Sequence, residues 1–459
     1  MSKSTCQRYG KLLASAFLLS ACTTQQLKPQ VLDLEVPGQW SKATGESRLD
    51  QQWWNNFGDP VLAQLIDQGL RNNKDLRIAA ARVAEARALR DFEAGEELPS
   101  LGFGAGGERA TALNPFGKPY TANNAQAQFQ AAYEVDIWGR LGALTKASEA
   151  SLAASKANQD AVALSVAANI AATYISLRTL DARLIVARQT LESRTSALKL
   201  AQSRRNNGDT SFLELSQAQS EYHATAQVIP QLETTIHQTE HRLAILLGQA
   251  PGPVARGKTL NEIAYPALPG TGLPSELLKR RPDIAAAEDA VAASNERLSA
   301  AKAQLLPSLK LTASLGRVTS TALSGDPFTL WSLGGSILAP VFEGGRLTAQ
   351  VNASVSRADQ ALIAYEKTVL TAFGEVEDGL AAIDRLSVQI SEAQQQTQAL
   401  TQAVRIAHSR YQAGYVSYLD EVDAQRNLFN VQQSLLQLQA SRLIAAVNLY
   451  RALGGGWQQ

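Results

Sequence analysis

The four residues Leu98-Pro99-Ser100-Leu101 recur as Leu306-Pro307-Ser308-Leu309, an offset of 208 residues (98 to 306). Further along, Gly139-Arg140-Leu141 recurs as Gly345-Arg346-Leu347, an offset of 206 residues (139 to 345). Internal similarity at a nearly constant spacing indicates that one structural unit is present twice. The sequence therefore predicts two copies of one fold within a single chain, and the change of offset predicts a loop of different length between positions 101 and 139.

Each copy is predicted to contain one very long helix, and in the first copy this segment lacks the residues that break helices. Neither Gly nor Pro occurs from Ala143 to Asn207, so this segment predicts a helix on the order of 100 Å long at 1.5 Å per residue. Leucines repeat every seven residues along it, at Leu177, Leu184, Leu191 and Leu198. This spacing indicates coiled-coil packing. A passive coiled-coil spacer would show the same pattern.

Four shorter segments alternate apolar residues with small or polar ones, and a period of two indicates β-strands with two different faces. They are predicted at about 100–110, 124–136, 308–317 and 329–341. Runs of roughly ten residues with this alternation are typical of membrane barrel strands. Four strands cannot close a barrel, since about eight are needed, and lipid does not tolerate unpaired strand edges. The chain is therefore predicted to oligomerise, and a homotrimer would supply twelve strands.

The N-terminus has the features of a lipoprotein leader. Residues 1–21 combine basic residues with an apolar run too short to span a membrane, and Leu19-Ser20-Ala21 directly precedes Cys22. Small residues before a Cys resemble the bacterial lipobox, so Cys22 is predicted to carry the lipid anchor. An ordinary secretory signal with an incidental Cys is the alternative. No later segment is expected to form a transmembrane helix, so any membrane crossing is predicted to use strands.

Composition and motifs argue against several classes of function. The 43 basic and 42 acidic residues give a formal net charge of +1, so bulk charge does not favour nucleic-acid binding. Residues 102–107 satisfy G-x-G-x-x-G, but a turn-rich loop follows where a dinucleotide site needs a helix. His237 and His241 are four residues apart without acidic or Cys partners at fixed spacing, so no metal site is predicted. Since no nucleophile–histidine arrangement emerges either, the sequence predicts no catalytic residue, no cofactor and no enzyme.

Five motifs are specific when taken together: the lipobox ending at Cys22 and the residues at 133–140, 306–308, 340–346 and 410–414. They resemble the outer-membrane efflux protein family, the TolC-like channels, and particularly its NodT-type lipoprotein branch. The resemblance extends from about Asp59 to Gly454. It implies an α+β membrane protein that forms a trimer, with a twelve-stranded barrel in the outer membrane on a twelve-helix periplasmic barrel. It also implies two partners, a periplasmic adaptor protein and an inner-membrane pump.

The predicted organisation has five parts. They are a signal peptide (1–21), a lipid-anchored extended segment (22–58), a first repeat (59–248, long helices at about 140–205 and 211–247), a connecting equatorial segment (249–274) and a second repeat (275–454, long helices at about 346–411 and 417–453).

The turns between the long helices provide the first candidate site residues. Gly208 and Gly414 suit a tight reversal, because glycine adopts positive φ without steric cost. Ser211 and Ser417 have the spacing of helix-capping residues relative to the helices that follow. On physical grounds alone these positions are turns. The resemblance implies that they are also the periplasmic tips that contact the adaptor.

The start of the last long helix provides the candidate gate. Leu419 and Asp423 are four residues apart and therefore share one helical face. In a trimer, three Asp423 carboxylates near the axis would repel one another and attract cations, and three Leu419 side chains would form an apolar ring. An isolated Asp on a helix is usually just solvated. The resemblance implies a Leu and an Asp at matching positions in a closed aperture, with Asp420 as a weaker candidate that could simply cap the helix.

These observations predict a lipid-anchored protein of the cell outer membrane with a periplasmic helical extension. Its predicted function is the exit duct of a tripartite efflux system, which passively conducts drugs or other small molecules. A duct for type I protein secretion is the alternative within the channel class. A non-conducting, lipid-anchored coiled-coil spacer is the alternative from a different class.

Overall fold

The computed structural model describes residues 37–41, 50–268, 270–322 and 327–457. The predicted signal peptide and Cys22 therefore lie outside the described residues. The main elements, in chain order, are α1 (Pro60–Asn72), α2 (Lys74–Glu96), β1 (Ser100–Leu113), β2 (Pro119–Val135), α3 (Arg140–Asn206), α4 (Phe212–Leu246), α5 (Pro274–Arg280), α6 (Pro282–Ala303), β3 (Ser308–Ser320), β4 (Phe328–Leu338), α7 (Arg346–Gln412) and α8 (Tyr418–Ala452).

The second half of the chain repeats the order of elements in the first half. Helices α3 and α7 contain 67 residues each, and helices α4 and α8 contain 35 residues each. Each pair of strands lies between a shorter helix and a 67-residue helix. The predicted internal repeat is confirmed, and its long helices are equal in length to the residue.

The chain forms two compact units. One contains residues 86–152 and 288–365 and includes all four strands. The other is built from the described parts of 34–85, 153–287 and 366–459, and it includes both turns between the long helices. Because α3 and α7 each run from one unit into the other, the two repeats contribute equally to both.

The strands form one antiparallel sheet in the order β1-β2-β3-β4. One row across it contains Phe103, Phe129, Leu315 and Trp331, and the adjacent row, on the opposite face, contains Gly102, Gln130, Ser314 and Ser332. Side chains of successive residues point to opposite faces of a strand. The sheet therefore has an apolar face and a face of small and polar residues, as the alternation predicts. Strands β1 and β4 are its two edges.

Both long-helix turns end their first helix in the same way. Gly208 has φ +83° and Gly414 has φ +78°. The residue after each glycine donates its backbone N–H to a carbonyl five residues back: Asp209 to Arg204 at 2.8 Å and Tyr415 to Arg410 at 2.9 Å. This hydrogen bond across a left-handed residue is the Schellman way of ending a helix.

A second pair of glycines closes each repeat against a short helix. Gly248, after α4, and Gly454, after α8, have φ +72° and +90°. A Cβ on Gly248 would lie 2.3 Å from the carbonyl oxygen of Asn72, and one on Gly454 would lie 1.9 Å from that of Arg280. These positions need glycine for space as well as for conformation.

The sequence-based expectation that no later stretch is apolar for long enough to cross a membrane is corrected by α3. Within the described residues, α3 contains a stretch that is long and apolar enough to cross a membrane by length and composition, although 44% of that stretch is buried inside the protein. Leu177 of the heptad repeat in this helix is fully buried, as expected where a helix packs against its neighbours. A buried core helix can have the same length and apolar composition, so α3 does not by itself indicate a membrane-spanning helix.

Candidate functional site

The two turns between the long helices are held by caps at the start of the returning helices. At the first turn, the Ser211 hydroxyl accepts the Glu214 N–H at 3.2 Å. At the second turn, Asp420 Oδ2 accepts both the Ser417 N–H at 3.0 Å and the Ser417 hydroxyl at 2.8 Å. The second turn therefore has the reciprocal capping box that the spacing predicts. In the first turn, the Glu214 carboxylate is used elsewhere.

That carboxylate connects the two hairpins. The Tyr411 hydroxyl, near the end of α7, donates to Glu214 on α4. Tyr411 also packs against Tyr418, with ring centroids 5.4 Å apart, and the guanidinium of Arg204 lies 4.9 Å from its ring. Burial and the hydrogen bond to Glu214 raise the pKa of Tyr411, so this hydroxyl remains a donor at any physiological pH. The turns are thus tied together by a neutral tyrosine and a carboxylate.

The predicted gate residues are exposed at the start of α8. Leu419 is 46% exposed, and the side chain of Asp423 is 59% exposed and lies 3.4 Å from Arg426. Asp420 is engaged in the cap described above. In a single protomer, Leu419 and Asp423 therefore share an accessible face of α8, while Asp420 has a structural role at its N-terminus.

A buried ion cluster lies beyond these residues, where α3, α4 and α8 meet. The sequence analysis did not predict it. Glu221 on α4 accepts from Arg194 on α3 and, at 2.7 Å, from Nε of Arg426 on α8. The side chains of Glu221 and Arg194 are 7% and 6% exposed. The hydrogen bond to Glu221 raises the pKa of Arg426. The signal was present in the sequence, because Glu221 lies in the apolar stripe of α4 that includes Ala218, where a charge needs a partner.

The same region contains a hydrophobic cluster from all four long helices. Its buried members are Ala201, Ala218, Tyr411, Tyr418 and Val422. Leu198 of the predicted heptad repeat and Leu215 of α4 pack against it. The structure thus brings the end of the predicted heptad repeat, the predicted turns and the start of α8 into one packed end of the helical hairpins.

This architecture matches a known family over most of the chain. The family model described as outer membrane efflux protein matches residues 65–249 and 273–455, one match for each repeat. The chain belongs to the outer membrane efflux protein family. The predicted TolC-like fold, the function as an efflux channel and the location in the outer membrane are confirmed by this membership and by the relatives below.

Two curated relatives and one solved structure show the extent of the similarity. The pyoverdine export outer membrane protein OpmQ of Pseudomonas aeruginosa is 35% identical, over 97% of this chain and 96% of OpmQ. The probable outer membrane lipoprotein SilC of Salmonella typhimurium is 32% identical, over 97% of this chain and 98% of SilC. The outer-membrane channel OprN superposes with a TM-score of 0.85 at 31% identity, over 93% and 99% of the two chains. Similarity on this scale extends to both repeats.

Proposed function

We propose that the protein is the exit duct of a tripartite efflux system and works as a homotrimer with a periplasmic adaptor and an inner-membrane pump. The observation that carries the proposal is the four-stranded sheet, which has an apolar face, a polar face and two unpaired edges. In lipid, the edge groups of β1 and β4 need partners. Three copies joined edge to edge make a twelve-stranded barrel whose polar face lines an aqueous lumen.

The lipid anchor is part of the same proposal. Cys22 follows three residues of lipobox type, and the relative SilC is itself named as a probable lipoprotein. Lipidation of Cys22 would attach the N-terminus of each protomer to the membrane that holds the barrel.

The turns between the long helices are proposed as the adaptor contact. Gly208, Ser211, Gly414 and Ser417 form these turns. Beside them, Phe212 is 68% exposed and Tyr415 is 77% exposed. Large apolar side chains at such exposure are typical of surfaces that bind another protein. An adaptor with a complementary apolar surface would bury them.

Leu419 and Asp423 are proposed as the resting constriction, because the face that carries them is exposed in the protomer and would appear three times around a trimer axis. Three carboxylates favour cations and disfavour anions at that point. Asp420 is not proposed as a direct part of the constriction, since its carboxylate holds the Ser417 cap.

Small molecules are the proposed cargo, and the name of OpmQ, a pyoverdine export protein, supports a small molecule over a secreted protein. Type I protein secretion remains the second candidate. An accumulation assay in a strain that lacks its own outer-membrane channel would separate the two: we expect dye or drug retention to fall when this protein is supplied with a cognate pump and adaptor.

Planar-bilayer conductance of the detergent-extracted protein tests the duct and its constriction together. We expect a small, cation-preferring conductance that rises in Asp423→Ala. The matched control is Gln217→Ala, because Gln217 is the first-repeat counterpart of Asp423 at the 206-residue offset (217 to 423), and it should leave conductance unchanged. A folded, inserted protein that conducts in neither form would refute the duct and favour the anchored spacer.

A further inference from the structure

Two arginines interrupt the apolar face of the sheet. Arg109 on β1 lies opposite Asn123 of β2. Arg317 on β3 lies opposite Ala127 of the same strand. Asn123 and Ala127 are each an even number of residues from Phe129, so both arginines share the face of the aromatic row. Both arginine side chains are exposed.

The carboxylates of the four strands lie on the opposite, polar face. Glu108 accepts a hydrogen bond from Asn124, its register partner on β2, at 3.3 Å. Glu134 lies 3.8 Å from Lys310, its register partner on β3. Within the described residues of the strands, the charged residues of the apolar face are the two arginines. The charge on this face is therefore cationic, and no carboxylate of the same face neutralises it.

Both arginines lie between the aromatic row and the turn end of the sheet. One end of the sheet continues into α2, α3, α6 and α7, and the other end carries the turn at 114–118 between β1 and β2. Along β2 from Phe129 toward that turn, the row of Arg317 comes two residues later and the row of Arg109 comes six residues later. Because the long helices of this family are periplasmic, the turn end of the barrel faces the exterior of the cell.

The position of Arg317 along its strand matches the outward boundary of a membrane band. Arg317 is eight residues beyond Leu309 (309 to 317), the first residue of β3 on the apolar face. Eight residues extend about 26 Å along a strand, or about 20 Å along the membrane normal at a tilt of about 40°. The apolar band of outer-membrane barrels is about 25 Å tall. Arg317 therefore lies near the outward edge of this band, and Arg109 lies beyond it.

Two aromatic side chains flank Arg317 on the side toward the helices. Phe129 and Trp331 each lie two residues from a register partner of Arg317, and side chains in such diagonal positions are about 7–8 Å apart. Trp331 is 75% exposed, and tryptophans at such positions are enriched where the membrane meets water. A long basic side chain in this setting extends its charged end toward the lipid headgroups.

We propose that Arg317 and Arg109 bind the phosphate groups of an anionic glycolipid in the outward leaflet of the outer membrane. This inference rests on the proposed homotrimeric barrel, in which the apolar face contacts lipid. An arginine that faces lipid is costly at the bilayer centre but not near the interface. There, its planar guanidinium can form two parallel hydrogen bonds with a phosphate.

The spacing of the two arginines assigns them to different phosphates. Their rows are four residues apart along β2, about 13 Å, and their strands are two spacings apart, about 10 Å. The Cα atoms are therefore about 16 Å apart, and the two charges repel each other little, because this distance exceeds the screening length of about 8 Å. A headgroup with two phosphates, or two neighbouring headgroups, would neutralise both.

Binding of lipopolysaccharide with both lipid phosphates to the detergent-extracted, full-length protein tests the proposal. Each basic residue near an anionic headgroup layer strengthens binding by roughly fivefold, so the double variant Arg109→Gln with Arg317→Gln should bind about 25-fold more weakly. The wild type should bind the dephosphorylated lipid about as weakly. Lys310→Gln is the matched control, because it removes a positive charge from β3 on the polar face, and it should bind within about twofold of the wild type.

Two comparisons identify the ligand as a glycolipid phosphate. Inorganic phosphate at millimolar concentration should not compete, and phosphatidylglycerol should bind without dependence on the two arginines. Competition by inorganic phosphate, equal arginine dependence with phosphatidylglycerol, or equal binding of the phosphorylated and dephosphorylated glycolipid would each overturn the proposal.

Planar-bilayer conductance separates this site from the duct. The double variant should conduct like the wild type with the same ion preference, because the arginines face lipid rather than the lumen. A changed ion preference would place the arginines in the lumen and overturn the proposal. If neither the wild type nor Asp423→Ala conducts while glycolipid binding depends on the arginines, the duct fails and the lipid site stands. If the protein conducts but binding is independent of the arginines, the lipid site fails and the duct stands.

Discussion

Replacing Glu221 by Gln should loosen the helical hairpins far more than removing its exposed partner. Glu221 binds two guanidiniums, one buried (Arg194, side chain 6% exposed) and one half-exposed (Arg426, 48%). Its two carboxylate oxygens accept from different arginines. A glutamine has a single acceptor oxygen, so it can keep one of them, and Arg194 remains buried without a counter-ion. Breaking a buried pair in this way costs about 3–5 kcal/mol.

The lower end of that range applies, because Arg194 also donates to the backbone carbonyl of Glu221 at 3.0 Å and keeps that bond. A cost of about 3 kcal/mol corresponds to roughly a hundredfold faster local opening. By contrast, Arg426→Gln leaves Glu221 compensated by Arg194, and a half-exposed pair contributes at most about 1 kcal/mol. Both changes weaken the link between α8 and α4, so both should raise conductance, but only Glu221→Gln should produce extensive local opening.

Hydrogen exchange of α4 amides around residue 221 measures the difference. Glu233→Gln is the matched control, because Glu233 pairs with Arg188 between the same two helices at the surface, where the side chains are 42% and 60% exposed. That variant should exchange within about threefold of the wild type, as expected for a surface pair. If Glu221→Gln and Glu233→Gln gave equal exchange rates, the assignment of Glu221 as a buried charge that neutralises Arg194 would be refuted.

Two further perturbations follow from the fold. Gly454→Ala should lower the free energy of unfolding by about 3–5 kcal/mol, because it adds an overlap with a backbone carbonyl to the cost of a left-handed φ. Gly414→Ala, in open space, should lower it by only about 1–2 kcal/mol. Equal losses of thermal stability in the two variants would contradict the role of the close contact. Burial disfavours ionisation of Asp283, yet the hydrogen bonds and charge of Arg281 lower its pKa, so its stabilisation is present above the unfolded pKa of about 3.9 and is lost as pH falls. Asp283→Asn should therefore flatten the loss of stability between about pH 5 and 3 in denaturant melts, and an unchanged acid slope would show that this pair does not contribute.

Patterns that repeat along the chain were predictable from the sequence. A segment without Gly or Pro predicts a long helix, and α3 runs to Asn206, two residues before the left-handed Gly208. Alternation predicts the two faces of the sheet, which the row through Phe103 and the row through Gln130 display. The capping role of Asp420 follows from its spacing along the sequence relative to Ser417. In each case either the interacting residues are close in sequence, or the structure follows directly from the period of the sequence pattern.

Pairs of single residues from distant parts of the chain were not predictable. Glu221 finds Arg194 27 positions earlier and Arg426 205 positions later. Many other pairings of 43 basic with 42 acidic residues are equally compatible with the composition. His408 and Glu421 meet only because the turn at Gly414 sets the register of α8 against α7. The approach of Gly454 to Arg280 likewise depends on how α5 docks, which no local pattern encodes.

The two unpaired edges of the sheet also constrain how the channel can be made. A protomer alone cannot keep β1 and β4 in hydrocarbon, because each bare edge exposes a row of N–H and C=O groups to a medium that cannot bind them. In the proposed homotrimer, ring closure and entry into the bilayer would then be a single event, and its rate would depend on how often three chains meet. Acyl chains on Cys22 would confine the waiting chains to a surface and raise their effective concentration. On this view the anchor serves biogenesis, and it becomes dispensable once the ring has closed.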